Sequence, residues 1–170
     1  VSIIKNKNVD YQIFVGSGAI KLLKTKIKFY CPNANKIALI FDKKVPSKYK
    51  VVLKKQLKNY KVYLHEYFVN ENLKSFTKVN SLSEKLIKNN FNRNDVIISV
   101  GGGIIGDFAG FTASIVKRGI NFINIPTTLL SQVDASVGGK TGINTIKGKN
   151  LIGSFYQPKM IITDLDFLRS

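Results

Sequence analysis

Asp95-Val96-Ile97-Ile98-Ser99-Val100, running into Gly101-Gly102-Gly103-Ile104-Ile105-Gly106-Asp107, sets the architecture of this chain. The first six residues are largely apolar without strict alternation, the pattern of a strand covered on both faces. The glycines then open the chain onto a helix. Backbone N–H groups at such a turn can cradle a phosphate, because glycine lets the backbone approach closely and the positive end of the helix favours an anion. Gly101, Gly103 and Gly106 also satisfy G-x-G-x-x-G. The full dinucleotide fingerprint adds an acid about 20 residues onward for the ribose, and none lies between Asp107 and Asp134. Asp42, at the end of an earlier strand, is the better candidate for that role. On a plainer reading, the glycines only make a tight strand-to-helix turn.

Working outward, strand-like and helix-like segments alternate. Short apolar strands are expected near Tyr11 to Val15, Lys36 to Phe41, Lys61 to Glu66, Asp95 to Val100, Asn121 to Ile125 and Met160 to Thr163. Helical spacing with lysine on the polar side runs through Ala19 to Phe29, Lys48 to Asn59 and Ser75 to Phe91. This alternation predicts an α/β fold, a Rossmann-like doubly wound, mostly parallel sheet with helices on both faces.

The 170 residues, mean hydropathy of +0.01 and 22% charged residues describe one globular domain. Cys31 has no cysteine partner, and Cys31 with His65 falls short of a zinc ligand set. No apolar run reaches the roughly 18 residues that span a bilayer. Val1 to Asp10 lacks the apolar core of a signal peptide, so the expected location is the cytoplasm. The net charge is +17, and 24 of the 27 basic residues are lysine. Nucleic acid is one reading of that charge. With only Arg93, Arg118 and Arg169 for bidentate contacts, the lysines read more simply as the solvated faces of helices.

Two further segments carry polar groups. In Ile125-Pro126-Thr127-Thr128-Leu129-Leu130-Ser131-Gln132-Val133-Asp134 a strand ends in two hydroxyls before an expected helix. They either cap that helix or face a ligand at the sheet's carboxyl edge. Ser136-Val137-Gly138-Gly139-Lys140-Thr141-Gly142-Ile143-Asn144 narrowly misses a nucleotide-triphosphate loop, since Asp134 stands where that motif needs glycine. It reads as a glycine-rich loop presenting Lys140, followed by Lys147, Lys149 and Asn150, either to clamp an anion or as an ordinary surface loop.

Taken together, these segments resemble the 3-dehydroquinate synthases. Gly101 to Gly110, Arg118-Gly119-Ile120, Ile125 to Asn144 and Gly148-Lys149-Asn150-Leu151-Ile152-Gly153 follow that family's signature in order and spacing, with Pro158 and Asp164 after it. A looser match covers Asn70 to Ser75, where Phe68 and Asn70 replace the family's usual Pro and Gly. The resemblance implies NAD- and metal-dependent conversion of the seven-carbon phosphate DAHP to 3-dehydroquinate and phosphate, in the shikimate pathway of aromatic amino acid biosynthesis. It also implies a homodimer as the full-length enzyme; the residues themselves point to no membrane partner and make a nucleic-acid partner the weaker reading.

Carried onto this sequence, Asp42, Glu71 and Lys74 would contact the adenosine end of NAD, and Gly102, Gly103 and Gly106 would surround its pyrophosphate. Asp107, Thr127, Thr128 and Lys149 would hold the cofactor further along. Asp134, Lys140 and Asn150 would face the substrate, and Arg118 would reach a phosphate across a dimer interface. The family's metal, zinc or cobalt, is held by one Glu and two His of a helical second domain, and none of those motifs is present. Residues 1–170 are therefore expected to be an NAD-binding α/β domain, the N-terminal half of a two-domain enzyme and inactive alone. A related sugar-phosphate cyclase, or a non-catalytic nucleotide- or nucleic-acid-binding domain, are the other readings.

Overall fold

In the computed structural model, which describes residues 1–5 and 11–169, nine strands and four α-helices follow one another. Residues 6–10 of the segment read above for a signal peptide lie outside that description. The strands of the main sheet are β1 (Ser2–Lys5), β2 (Gln12–Gly16), β3 (Lys36–Asp42), β4 (Lys61–Tyr67), β5 (Val96–Gly101), β6 (Asn121–Pro126) and β9 (Met160–Asp164). They lie in the order β1-β2-β9-β6-β5-β3-β4. All neighbours are parallel except β1 and β2. The six strands expected from sequence are all present, and their alternation with helices gives the doubly wound α/β sheet it implied.

Apolar periodicity builds a helical layer on each face. Leu23 and Ile27 of α1 (Leu23–Tyr30), with Tyr49 and Leu53 of α2 (Ser47–Gln56), pack with Phe14, Ile37, Leu39, Val96, Ile98, Ile123 and Ile162. On the other face, Val79, Leu82 and Leu86 of α3 (Phe76–Lys88), with Ile105, Phe108 and Ala109 of α4 (Gly103–Ile115), cover Ala38, Ile40, Ile97 and Phe122. Every residue of β5 is buried, which is why its sequence shows no polar alternation. The lysines of α1 and α2 mostly face solvent, as at Lys24, Lys28, Lys54 and Lys55. No helix among the described residues is long and apolar enough to cross a membrane.

From β3 the chain crosses through α2 to β4 at one edge, then returns through α3 to β5 on the other side of β3. The strand order therefore reverses between β3 and β5, and α/β sheets bind ligands outside the carboxyl ends of strands at such a point. Those ends are Asp42 and Gly101. A Cβ at residue 101 would lie 2.5 Å from Ile105 Cγ2 and 2.9 Å from Asp42 Cβ, so only glycine fits there.

Three segments differ from expectation, the first being β1, an antiparallel edge strand not among the six expected from sequence. Residues 140–155 form an antiparallel hairpin, β7 (Lys140–Thr145) and β8 (Gly148–Phe155), where a loop was expected. Its glycines permit close approach: a Cβ at Gly153 would stand 2.1 Å from the Thr141 carbonyl oxygen. The helix expected after Thr128 amounts to a short turn that widens into π geometry over Ser131–Ala135.

At the opposite edge, fully buried Asp95 closes the loop ahead of β5. Its Oδ1 accepts from the N–H groups of Lys36 (2.8 Å) and Asn35 (3.2 Å), and its Oδ2 from that of Asn92 (2.9 Å). Asp95→Ala strands three N–H groups away from water and is expected to lower unfolding free energy by about 3 kcal/mol. Urea denaturation reads this as a lower midpoint with an unchanged slope.

Candidate functional site

The polar groups of the carboxyl edge are assembled around α4. Gly102 precedes the helix in extended conformation, and no side chain caps the first turn. The leading N–H groups of a helix have no intrahelical partner and carry its positive pole. Glycine at 102 and 103 lets neighbouring side chains pack closely against this turn. A Cβ on Gly102 would close to 3.3 Å from Thr128 Cγ2, and one on Gly103 to 3.3 Å from Ala135 Cβ.

The turn after β6 completes this wall. The Thr127 N–H donates to the Gly101 carbonyl at 2.9 Å. Thr128 Oγ1 lies 2.8 Å from Ser131 Oγ and accepts from the Ser131 N–H at 3.3 Å. Thr128 thus caps the turn that follows it, and its Cγ2 borders Gly102. Asp42, largely buried, accepts through Oδ1 from the Lys44 N–H at 2.9 Å, while its Oδ2 lies toward Gly101. Gly106 packs on Asn124, which links buried Ser99 to Ser136.

One turn into α4, Asp107 meets Lys74, whose side chain is only 5% exposed, with Nζ 2.5 Å from Asp107 Oδ2. The same ammonium donates to Asn150 Oδ1. Glu71 pairs with Lys149 at 3.3 Å. Burial pushes the Asp107 carboxyl above its ordinary value, and the Lys74 ammonium opposes that rise. The Glu71 carboxyl is held low, first by a hydrogen bond from Asn144 and then by Lys149.

The hairpin forms the facing wall. It lies against α4 at Gly110, where a Cβ would come within 2.4 Å of Thr141 Cγ2. Asp107, Asp134, Lys140 and Asn150 thereby line one cleft of about 450 Å³, together with Thr141, Ser154 and Phe155. Among the described residues Lys140 forms no ion pair. Thr141, Ser154 and Phe155 were missed from sequence, and recognising 140–155 as two strands about a turn would have exposed them.

Of the residues singled out from sequence, Glu71 pairs with Lys149, and Lys74 ties Asp107 to Asn150, the two sets being joined through Asn144. Asp134 and Lys140 join Asp107 and Asn150 in the cleft, and Asp42, Gly102, Gly103, Gly106, Thr127 and Thr128 lie about the head of α4. Arg118 stands apart. It is exposed, with φ 62°, after the far end of α4, where it lines a separate cavity with Asn90, Phe91, Asn92, Arg93 and Lys117. Within one chain it does not reach the cleft. No three His, Cys, Asp or Glu among the described residues gather as a metal site.

The sheet and its carboxyl-edge cleft define a Rossmann-like α/β domain. The 3-dehydroquinate synthase N-terminal family model matches residues 66–170, and the chain belongs to that family. Over 167 residues it is 46% identical to a 3-dehydroquinate synthase of Pelagibacter ubique, covering 98% of this chain and 45% of that protein. It is also 46% identical over 165 residues to one from Saccharolobus solfataricus, covering 95% of this chain and 43% of that protein. The chain thus spans a little under half the length of these curated relatives.

Among solved structures, it superposes on 2-deoxy-scyllo-inosose synthase complexed with carbaglucose-6-phosphate, NAD+ and Co2+. The TM-score is 0.87 at 27% identity, covering 98% of this chain and 45% of that one. A 2-epi-5-epi-valiolone synthase from Streptomyces hygroscopicus with NAD+ and Zn2+ bound gives a TM-score of 0.80 at 26% identity, covering 99% and 46%.

The Lys74–Asp107 pair makes a prediction about pH. Lys74→Met removes the cation that opposes the upward shift of Asp107. An acid whose folded pKa is raised binds more protons folded than unfolded between its unfolded value, near 3.8, and its folded one, so stability falls as pH rises through that window. Lys74→Met is expected to be less stable than wild type at about pH 7 and to recover part of the deficit by about pH 5. Urea unfolding at stepped pH checks this, and a deficit independent of pH would contradict it.

Proposed function

We propose that residues 1–170 are the NAD-binding half of a 3-dehydroquinate synthase, which converts DAHP to 3-dehydroquinate and phosphate, and that this half is inactive alone. The observation that carries the reading is the 46% identity to 3-dehydroquinate synthase over 98% of the chain, against 27% and 26% to the two other sugar-phosphate cyclases.

The residues at the carboxyl edge fit a dinucleotide. The uncapped head of α4, beside closely packed Gly102 and Gly103 and near the Asp42 carboxylate at Gly101, offers N–H groups to a phosphate. In this reading the first N–H groups of α4 hold the pyrophosphate, with Gly106 packed beneath them. Asp42 accepts from ribose hydroxyls. Glu71 and Lys74 serve the adenosine end, and Thr127, Thr128, Asp107 and Lys149 border the cofactor further along. NAD, when bound, would supply a hydride acceptor for a carbinol C–H of the substrate, whose hydroxyl gives up a proton, and would hand the hydride back within the turnover.

Lys140, which has no carboxylate partner among the described residues, supplies positive charge to the anionic substrate, and Asp134 and Asn150 orient its hydroxyls. Arg118 serves the phosphate of a second copy's site, in keeping with its distance from the cleft of its own chain. The family's divalent metal does not fit this chain alone, because the described residues offer no ligand set. The cleft is completed by the other half of a two-domain protein. Leu129, Leu130, Val133 and Phe155 form an exposed apolar rim that suits such a cover.

The full-length protein, assayed with DAHP, NAD and a divalent metal, is expected to release phosphate and 3-dehydroquinate, whereas residues 1–170 release neither. Lys140→Ala should lower kcat/KM on the order of 100-fold, the size of a lost charged hydrogen bond. A metal-loaded full-length protein that binds NAD and leaves DAHP unchanged would contradict the reading.

A further inference from the structure

Three segments converge on Asn144, a residue with no part in the reading above. Asn144 sits where the ladder between β7 and β8 slips register, between Ile143 and Thr145. Such a slip takes a backbone N–H out of the ladder and re-aims the side chain. The Asn144 N–H donates instead to the Lys74 carbonyl oxygen at 2.8 Å. Its Nδ2 donates to Glu71 Oε2 at 2.7 Å, and its Oδ1 accepts from the Asn150 N–H at 3.0 Å. Asn150 is in the left-handed region at φ 57°, a conformation asparagine adopts more readily than most residues.

We propose that Asn144 is a positioning residue for the cleft: by holding the backbones of Lys74 and Asn150 together, it delivers the Lys74 ammonium between Asp107 Oδ2 and Asn150 Oδ1. A lysine head on a flexible four-carbon stem reaches one point reproducibly only when its own backbone and its acceptors are fixed. Asp107 is fixed by α4. Asn150 lies on a hairpin outside the main sheet, and Lys74 follows a short 3-10 turn after the edge strand β4, so both need an outside tie. Asn144 provides it for the two at once, and its grip on Glu71 sets the carboxylate that pairs with Lys149. The consequence for cofactor and substrate binding rests on the reading proposed above, whereas the geometry does not.

Carboxyl carbon NMR titration of Asp107 and Glu71 tests this in wild type, Asn144→Ala and Asn144→Asp. Asp107 faces Lys74 and Glu71, with Asp134 and Lys140 across the same cleft, and Glu71 faces Lys149 and Lys74. Asn144→Ala is expected to raise both titrations. Both variants keep the backbone N–H for Lys74, but only Asn144→Asp keeps the acceptor for Asn150, so it should largely restore Asp107, while Glu71, now facing a carboxylate, moves up. An Asp107 titration unmoved in Asn144→Ala, with Thr141–Ser154 cross-strand contacts intact, would overturn the proposal. Should Asn144→Ala lose those contacts, the coupling across the hydrogen bond from the wild-type Asn144 N–H to the Lys74 carbonyl carbon decides, its presence supporting the proposal and its absence overturning it. NAD titration of the same samples separates the two readings. A wild-type chain that does not bind NAD removes the cofactor reading and leaves the outcome of the carboxyl titrations standing. One that binds should lose about tenfold in affinity in Asn144→Ala, and an unchanged affinity would overturn the positioning role.

Discussion

The carboxyl edge depends on the absence of a side chain at residue 101. The ends of β3 and β5 are so close there that a Cβ would collide with Asp42 and Ile105. That contact brings the Asp42 carboxylate beside the head of α4, and the Thr127 N–H fastens the next turn to the same residue. With the start of α4 fixed, Asp107 falls one turn in and Gly110 about another turn further. Gly110 is where the hairpin lies down on the helix. The position of Lys140, Asn150 and the facing wall thus follows from packing that begins at the reversal of strand order.

On this frame, a strongly basic chain gathers several of its few acids. Asp107, Glu71 and Asp134 lie around the carboxyl edge, and two of them are matched by Lys74 and Lys149. A carboxylate as enclosed as Asp107 would otherwise be penalised in its charged form, and the buried lysine offsets that. Lys140 is left with its charge uncommitted among the described residues. One cation is therefore used within the protein and another remains available to an anion. The lysines of α1 and α2 mostly face solvent.

Much of this was legible in the sequence because its signals were local. Apolar runs marked six strands, three-and-four spacing marked helices, and the glycines after Val100 marked the strand-to-helix turn. The hairpin was not legible, because Gly142 and Gly153, which let its strands close together, read as loop residues when no partner strand is in view. The widened turn at Ser131–Ala135 departs from the helix expected there, and nothing in Leu129 to Ala135 announces π geometry. Asn144 was passed over for a related reason. Its importance comes from a register slip that connects residues 71, 74 and 150, far apart in sequence. Arg118 was singled out by resemblance alone, and it lies with Arg93 and Lys117 at a cavity apart from the cleft.

The central claim is that the head of α4, beside Asp42, is the dinucleotide site. Its most direct test is titration of the nitrogen-15-labelled chain with NAD, followed by amide NMR. The account predicts saturable shifts concentrated at Gly102, Gly103, Ile104, Asp42 and Thr128. No shifts in a folded chain, or shifts confined to the lysine-rich surfaces of α1 and α2, would contradict it.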